Sequence, residues 1–250
     1  MIVTDKFVFL HLPRSGGTFV SDVIKKFFPA AQEVGYHLPR AVLPSEFSRL
    51  PVLGTVRNPW AFYPSWYYHH CSDNRYLPLF CRLSDNRKLD FVETIRNALN
   101  LGVTDEKLDL VIEGLAENFD YTKKHISNLT KDAMRQMRGT GVGLYTFRFN
   151  QMFGQADDVH FCRVESLRSD LISFFETIGV ANDSVCSYIL GLEKKNISEH
   201  LHYSTYYTRD LADLVSLRDR PIIDRFGYVF EGLPSTEGRT PKSSQAPQPV

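Results

Sequence analysis

The 250-residue chain has no excess of charge of either sign: 29 Lys and Arg against 29 Asp and Glu leave a formal net charge of +0. Without bulk attraction for a polyanion or an anionic membrane, nucleic acid is not an expected partner, and an anionic ligand has to be held by a local cluster. No apolar run approaches the length of a membrane span. No basic segment followed by a long apolar one stands near Met1, so no secretory leader is read and a cytoplasmic location is expected. Cysteine is scarce. Cys71, Cys81, Cys162 and Cys186 show no CxxC spacing and are read as free thiols in a reducing compartment. Internal repeats are absent.

Against these absences, one stretch stands out, Phe7 to Val20 (FVFLHLPRSGGTFV). Phe7 to Leu10 is a short apolar run of the kind a parallel strand buries on both faces. Pro13 to Thr18 reads as a turn, in which Gly16 and Gly17 let backbone N–H groups face one concavity. Phe19, Val20, Val23, Ile24 and Phe27 then recur at helical spacing, up to Pro29. A strand, a glycine loop and a helix in that order place an anion at a helix N-terminus, so a phosphate or sulfate site is expected. The loop is not a Walker A motif, which needs a lysine directly before the hydroxyl residue. Here Gly17 precedes Thr18, and the nearest cation is Arg14. A kinase would lack the lysine that reaches the terminal phosphates of ATP.

Further strands are expected at Gln32–His37, Pro51–Arg57 and Val159–Val164. Helices are expected from Pro59 with a kink at Pro64, and over 89–99, 105–115, 119–137, 144–153, 167–178, 183–192 and 208–225. The stretch 71–86 reads as a long loop. Pro39 puts His37 at a strand's carboxyl end, the edge where open α/β sheets bind ligands. Asn58 suits an N-cap and Pro59 the first helical position, so Arg57 and Ser65 could face a common ligand. Trp60, Phe62, Trp66, Tyr67 and Tyr68 fit either a core stripe or a pocket wall. Residues 1–232 read as one domain. Residues 233–250, rich in Pro, Ser and Gln with no apolar pattern, read as a disordered tail.

Three of these segments together resemble the PAPS-dependent sulfotransferases (PAPS is 3′-phosphoadenosine 5′-phosphosulfate). His11-Leu-Pro-Arg-Ser-Gly-Gly-Thr18 is similar to the family's 5′-phosphosulfate loop. Val56-Arg-Asn-Pro59, with Ser65 eight residues after Arg57, resembles its 3′-phosphate motif. His37-Leu-Pro-Arg-Ala-Val-Leu-Pro44 looks like the stretch whose histidine is the catalytic base in cytosolic members. Arg163-Val-Glu165 and Phe226-Gly-Tyr228 resemble later parts of bacterial members.

The resemblance implies an α/β fold, a three-layer parallel sheet flanked by helices in a P-loop-NTPase-like arrangement, with a helical insert. It implies in-line transfer of a sulfuryl group from PAPS to a hydroxyl or amine of a small-molecule or carbohydrate acceptor, with PAP as product and no metal. Cofactor contacts fall on Arg14, Ser15, Gly16, Gly17, Thr18, Phe19, Arg57 and Ser65. Arg14 also stabilises the charge on the leaving oxygen, and His37 is the base, with Glu33 its rival. Gly35 stands where cytosolic members carry a lysine, and Lys194 or Lys195 is read as the replacement cation. The alternatives are a P-loop-like kinase and an inactive nucleotide-binding protein of the same fold.

Overall fold

The structure, a computed structural model, describes residues 1–73, 77–123, 127–154, 157–193 and 201–232. Lys194, Lys195 and the 233–250 tail lie outside the described residues. A five-stranded sheet forms in the order β3-β1-β2-β4-β5. Its strands are β1 (Ile2–Val3), β2 (Val8–Leu10), β3 (Gln32–Glu33), β4 (Val52–Val56) and β5 (Val159–Arg163). β2, β4 and β5 pair in parallel, as the apolar run at Phe7 to Leu10 predicts for β2. β1 is antiparallel to both its neighbours, a departure from an all-parallel sheet. Its connection to β2 is too short for a crossover, so the pair has to be antiparallel. The Thr4 hydroxyl closes that turn by accepting the Phe7 N–H at 2.9 Å.

Alternation along the strands splits the core in two. Val8, Leu10, Val52 and Val56 face the larger cluster. Phe7, Phe9, Leu53 and Cys162 face the smaller one, with α1 (Gly17–Phe27), α8 (Leu167–Thr177) and α9 (Asp183–Gly191). The larger face carries α2 (Pro59–Ser72), α3 (Pro78–Leu83), α4 (Phe91–Asn100), α5 (Asp105–Glu113), α6 (Lys131–Arg135), α7 (Leu144–Phe153), α10 (Arg209–Arg218) and α11 (Arg220–Phe226). The layers are therefore helices, sheet and helices, and α2 to α7 form the expected insert between β4 and β5.

The strand expected over Gln32–His37 stops at Glu33, so His37 lies beyond it rather than at its carboxyl end. Two further stretches differ from expectation. Half of the presumed 71–86 loop is helical, since α2 runs to Ser72 and Pro78 opens α3 as a first-turn proline. The helix expected over 119–137 shrinks to α6. The Asp120 carboxylate accepts the N–H groups of Thr122 and Lys123, and the Asn128 side chain accepts from Asp120 N–H and donates to the Tyr36 carbonyl at 2.6 Å. These side chains satisfy locally the backbone groups that a helix would pair.

Pro64 stays inside α2. With no N–H at 64, the Trp60 carbonyl one turn back loses its helical partner. Tyr207 supplies the replacement: its hydroxyl donates to that carbonyl at 2.9 Å, in a buried position. Tyr207→Phe leaves the carbonyl unsatisfied and is expected to cost about 1–3 kcal/mol in urea unfolding. An unchanged unfolding midpoint would show that the helix tolerates the orphaned carbonyl.

Candidate functional site

Between β2 and α1 the chain turns through two left-handed residues, Arg14 (φ 60) and Gly16 (φ 79). Glycine suits the second because it has no Cβ to strain. Gly17 is small for a different reason: a Cβ there would lie 1.9 Å from the His11 ring. The turn delivers the N-terminus of α1 with no side-chain cap and no acidic residue in its first turn. The dipole of the helix favours negative charge at that end.

Arg57 leaves the carboxyl end of β4, and Asn58 caps α2 by accepting the Trp60 N–H at 3.0 Å. Two turns on, Ser65 is buried and accepts from Arg14 Nη2 at 3.1 Å. Arg57 Nη1 donates to the Arg14 carbonyl at 3.2 Å. Arg57 and Ser65, which the spacing placed on one ligand, thus form one connected group with Arg14. Both guanidiniums keep a buried Nε with no hydrogen-bond partner. Burial, and then the charge of Arg57, push Arg14 down to about 10. Burial likewise lowers Arg57, with Glu165 opposing. Two like charges held together and short of acceptors fit an anion carrying several oxygens.

These groups line a cleft of about 1230 Å³, roomy enough for a nucleotide-sized ligand with space beside it. His37 and Glu33 line the same cleft. Glu33 is exposed in β3, whereas His37 is 7% exposed, just past it, in the left-handed region (φ 51). His37 Nδ1 lies 2.6 Å from the His11 carbonyl oxygen. A carbonyl only accepts, so Nδ1 carries the proton and Nε2 keeps the lone pair. Burial, then the nearby His11 ring, hold His37 well below the ordinary histidine range. Burial does the same to His11, which falls to about 3.

This pair sets the sign of a pH effect. In the unfolded chain both rings titrate near 6.5. Their contribution is therefore fully present above that pH and is lost as pH falls toward the depressed folded values. Each histidine contributes about 1.4 kcal/mol per pH unit. Urea unfolding is expected to show stability dropping by about 2–3 kcal/mol between pH 6 and pH 5, with roughly half that slope in His37→Asn. Stability constant over that interval would mean that the rings are charged in the folded state.

No model of a protein family matches the chain, and neither does any curated protein. Among solved structures, the chain is similar to mouse sulfotransferase SULT7A1 complexed with PAP. The TM-score is 0.45 and the identity 12%, over 90% of this chain and 88% of that chain.

Other expected residues are placed as follows. Gly16, Gly17, Thr18 and Phe19 line the cleft. One face of Phe19 is taken by the Arg168 guanidinium, 5.5 Å from the ring centroid. Ser15 is fully buried, its hydroxyl donating to the Pro13 carbonyl at 3.4 Å, and does not line the cleft. Gly35 has no room for a longer side chain without rearrangement, because a Cβ would meet Leu38 at 2.5 Å. Of the α2 aromatics, Trp60, Phe62 and Trp66 are core, though Phe62 and Trp66 also reach the cleft.

Several site residues have no role assigned from the sequence, although Glu165 and Tyr228 lie in segments that resemble later parts of bacterial members. The Tyr145 hydroxyl accepts the Arg57 N–H at 2.8 Å and donates to the Arg57 carbonyl at 3.0 Å. Glu165 accepts the Asn58 N–H at 2.9 Å, and its other oxygen accepts from Tyr228 at 3.3 Å. The segments around Glu165 and Tyr228 thus meet on the backbone beside Arg57. Arg148, on α7, is buried and also lines the cleft. The one readable clue to it is a lone cation in an aromatic helix, LYTFRFNQMF.

Proposed function

We propose that the protein is a sulfotransferase that binds PAPS and moves its sulfuryl group to a hydroxyl or amine of a small acceptor. The observation that carries this reading is the convergence of Arg14, Arg57 and Ser65 with the uncapped start of α1 on one cleft, both guanidiniums keeping an unpartnered buried Nε. A ligand anionic at two ends fits that donor set. Arg57 and Ser65 are assigned the 3′-phosphate. The 16–18 backbone and Arg14 are assigned the 5′ end. When bound, PAPS supplies the activated sulfuryl group.

The chain's own part is positional and protolytic. His37 is neutral, with its Nε2 lone pair available, and takes the acceptor's proton. Arg14, which stays protonated at neutral pH, stabilises negative charge where the leaving oxygen develops it. No lysine fits at Gly35 without shifting Leu38, so the cation that cytosolic members carry there has to come from elsewhere in the chain, the role assigned to Lys194 or Lys195.

The test is calorimetric titration of the full chain with PAP, ADP and ATP. PAP is expected to bind at least about tenfold more tightly than ADP, since only PAP carries the 3′-phosphate that Arg57 would hold. Preference for ATP would replace this reading with the kinase. Tight PAP binding without sulfuryl transfer to any of a broad panel of phenols, sugars and amines would leave a nucleotide-binding protein of the same fold.

A further inference from the structure

One buried cation in the cleft is not used by this scheme. Arg148 projects from α7, a helix whose buried residues are otherwise Leu144, Tyr145, Thr146, Phe147, Phe149, Met152 and Phe153. It is 5% exposed. Nη2 donates to the Ser127 carbonyl at 2.9 Å, and Nη1 is buried with no partner. Among the described residues it has no ion pair. Burial alone lowers it, to about 10, so it remains a cation at neutral pH. Arg14 and Arg57 oppose each other, whereas the group that feels Arg148 is His37.

Burying an unpaired guanidinium costs several kcal/mol, and an apolar residue of the same volume is often the more stable choice. This helix already uses Met and Phe elsewhere on its buried side. A charge kept in such a place is accounted for by an anion that arrives from the cleft. Arg148 lines that cleft near the proposed base, so the anion belongs to whatever is deprotonated there. Trp66, Leu79, Phe80, Leu115 and Leu129 line the same cleft and supply apolar wall.

We infer that Arg148 is an acceptor-binding residue that selects acceptors carrying a carboxylate or similar anionic group on an apolar body, close to the hydroxyl presented to His37. The inference rests on the sulfotransferase reading for the word acceptor. The anion subsite itself stands on the buried guanidinium and its unpartnered Nη1.

The experiment uses near-isosteric pairs that differ in charge: 4-hydroxyphenylacetate against its amide, and glucuronate against glucuronamide. Each is titrated calorimetrically into the full chain with saturating PAP, and into the chain alone. Wild type is expected to prefer the acid in at least one pair by roughly 10–100-fold, the worth of one charged hydrogen-bonding contact. Arg148→Met keeps the volume and is expected to abolish that preference while leaving PAP affinity unchanged. Arg148→Lys is expected to retain part of it.

No preference for the acid in either pair, absence of binding included, overturns the inference. So does a preference that survives in Arg148→Met, or a loss of PAP affinity in that variant, which would assign the arginine to the nucleotide. Failure of wild type to bind PAP is failure of the sulfotransferase reading instead. The titrations on the chain alone then still decide whether Arg148 reads an anion.

Discussion

Arg57→Ala is expected to weaken PAP binding by roughly 10²–10⁴-fold while leaving the fold intact. The size follows from losing two hydrogen bonds to a doubly charged phosphate, each worth about 1.5–3 kcal/mol, at about 1.4 kcal/mol per decade. The intact fold follows from the electrostatics of the free protein. Arg57 sits against Arg14 and lowers it, so its removal relieves that repulsion and the burial of a charge, against the loss of the bond from Nη1 to the Arg14 carbonyl and of the attraction to Glu165. Calorimetry and thermal unfolding on the same sample separate the two. An Arg57→Ala protein with an unchanged Kd for PAP would remove the 3′-phosphate assignment. A large fall in Tm would show that the guanidinium is structural.

His37→Asn should abolish turnover without touching nucleotide affinity. Asparagine suits the substitution because it tolerates the left-handed backbone at 37 better than most residues, and its amide can donate to the His11 carbonyl as Nδ1–H does. It deletes the lone pair and little else. Release of PAP from PAPS over the acceptor panel is expected to fall about 10²–10⁴-fold, the usual share of a general base. Because burial and His11 hold His37 low, the wild-type rate should stay flat on acidification through pH 6.5 rather than drop there. Full activity in His37→Asn together with loss in Glu33→Gln would transfer the base to Glu33.

The sequence made the local parts of this site readable and left the distant ones dark. Phe7 to Val20 announces strand, turn and helix because each is governed by neighbours within a turn or two. The Arg57–Ser65 spacing works for the same reason, both ends lying on one strand–helix junction. Tyr145, Glu165 and Tyr228 act on Arg57 and Asn58 from 88 residues away or more, or through a further bond, and no periodicity records such pairings. Pro64 looked disruptive because its remedy, Tyr207, comes from a different part of the chain. The 119–137 stretch failed as a helix because side chains of Asp120 and Asn128 competed for its backbone. That competition is local but depends on a tertiary anchor at Tyr36.

The bracket of Tyr145, Glu165 and Tyr228 around the Arg57–Asn58 backbone bears on how divisible the protein is. The three motifs that carry the resemblance lie in the first quarter of the chain, which invites treating that quarter as a module to be cut out or grafted. It carries the ligands without the struts that aim them. A transplant limited to residues 1–72 would present Arg57 on an unbraced peptide, free to rotate away from Arg14. The smallest transferable unit therefore reaches Tyr228, nearly the whole described chain, and the first quarter is a label rather than a part.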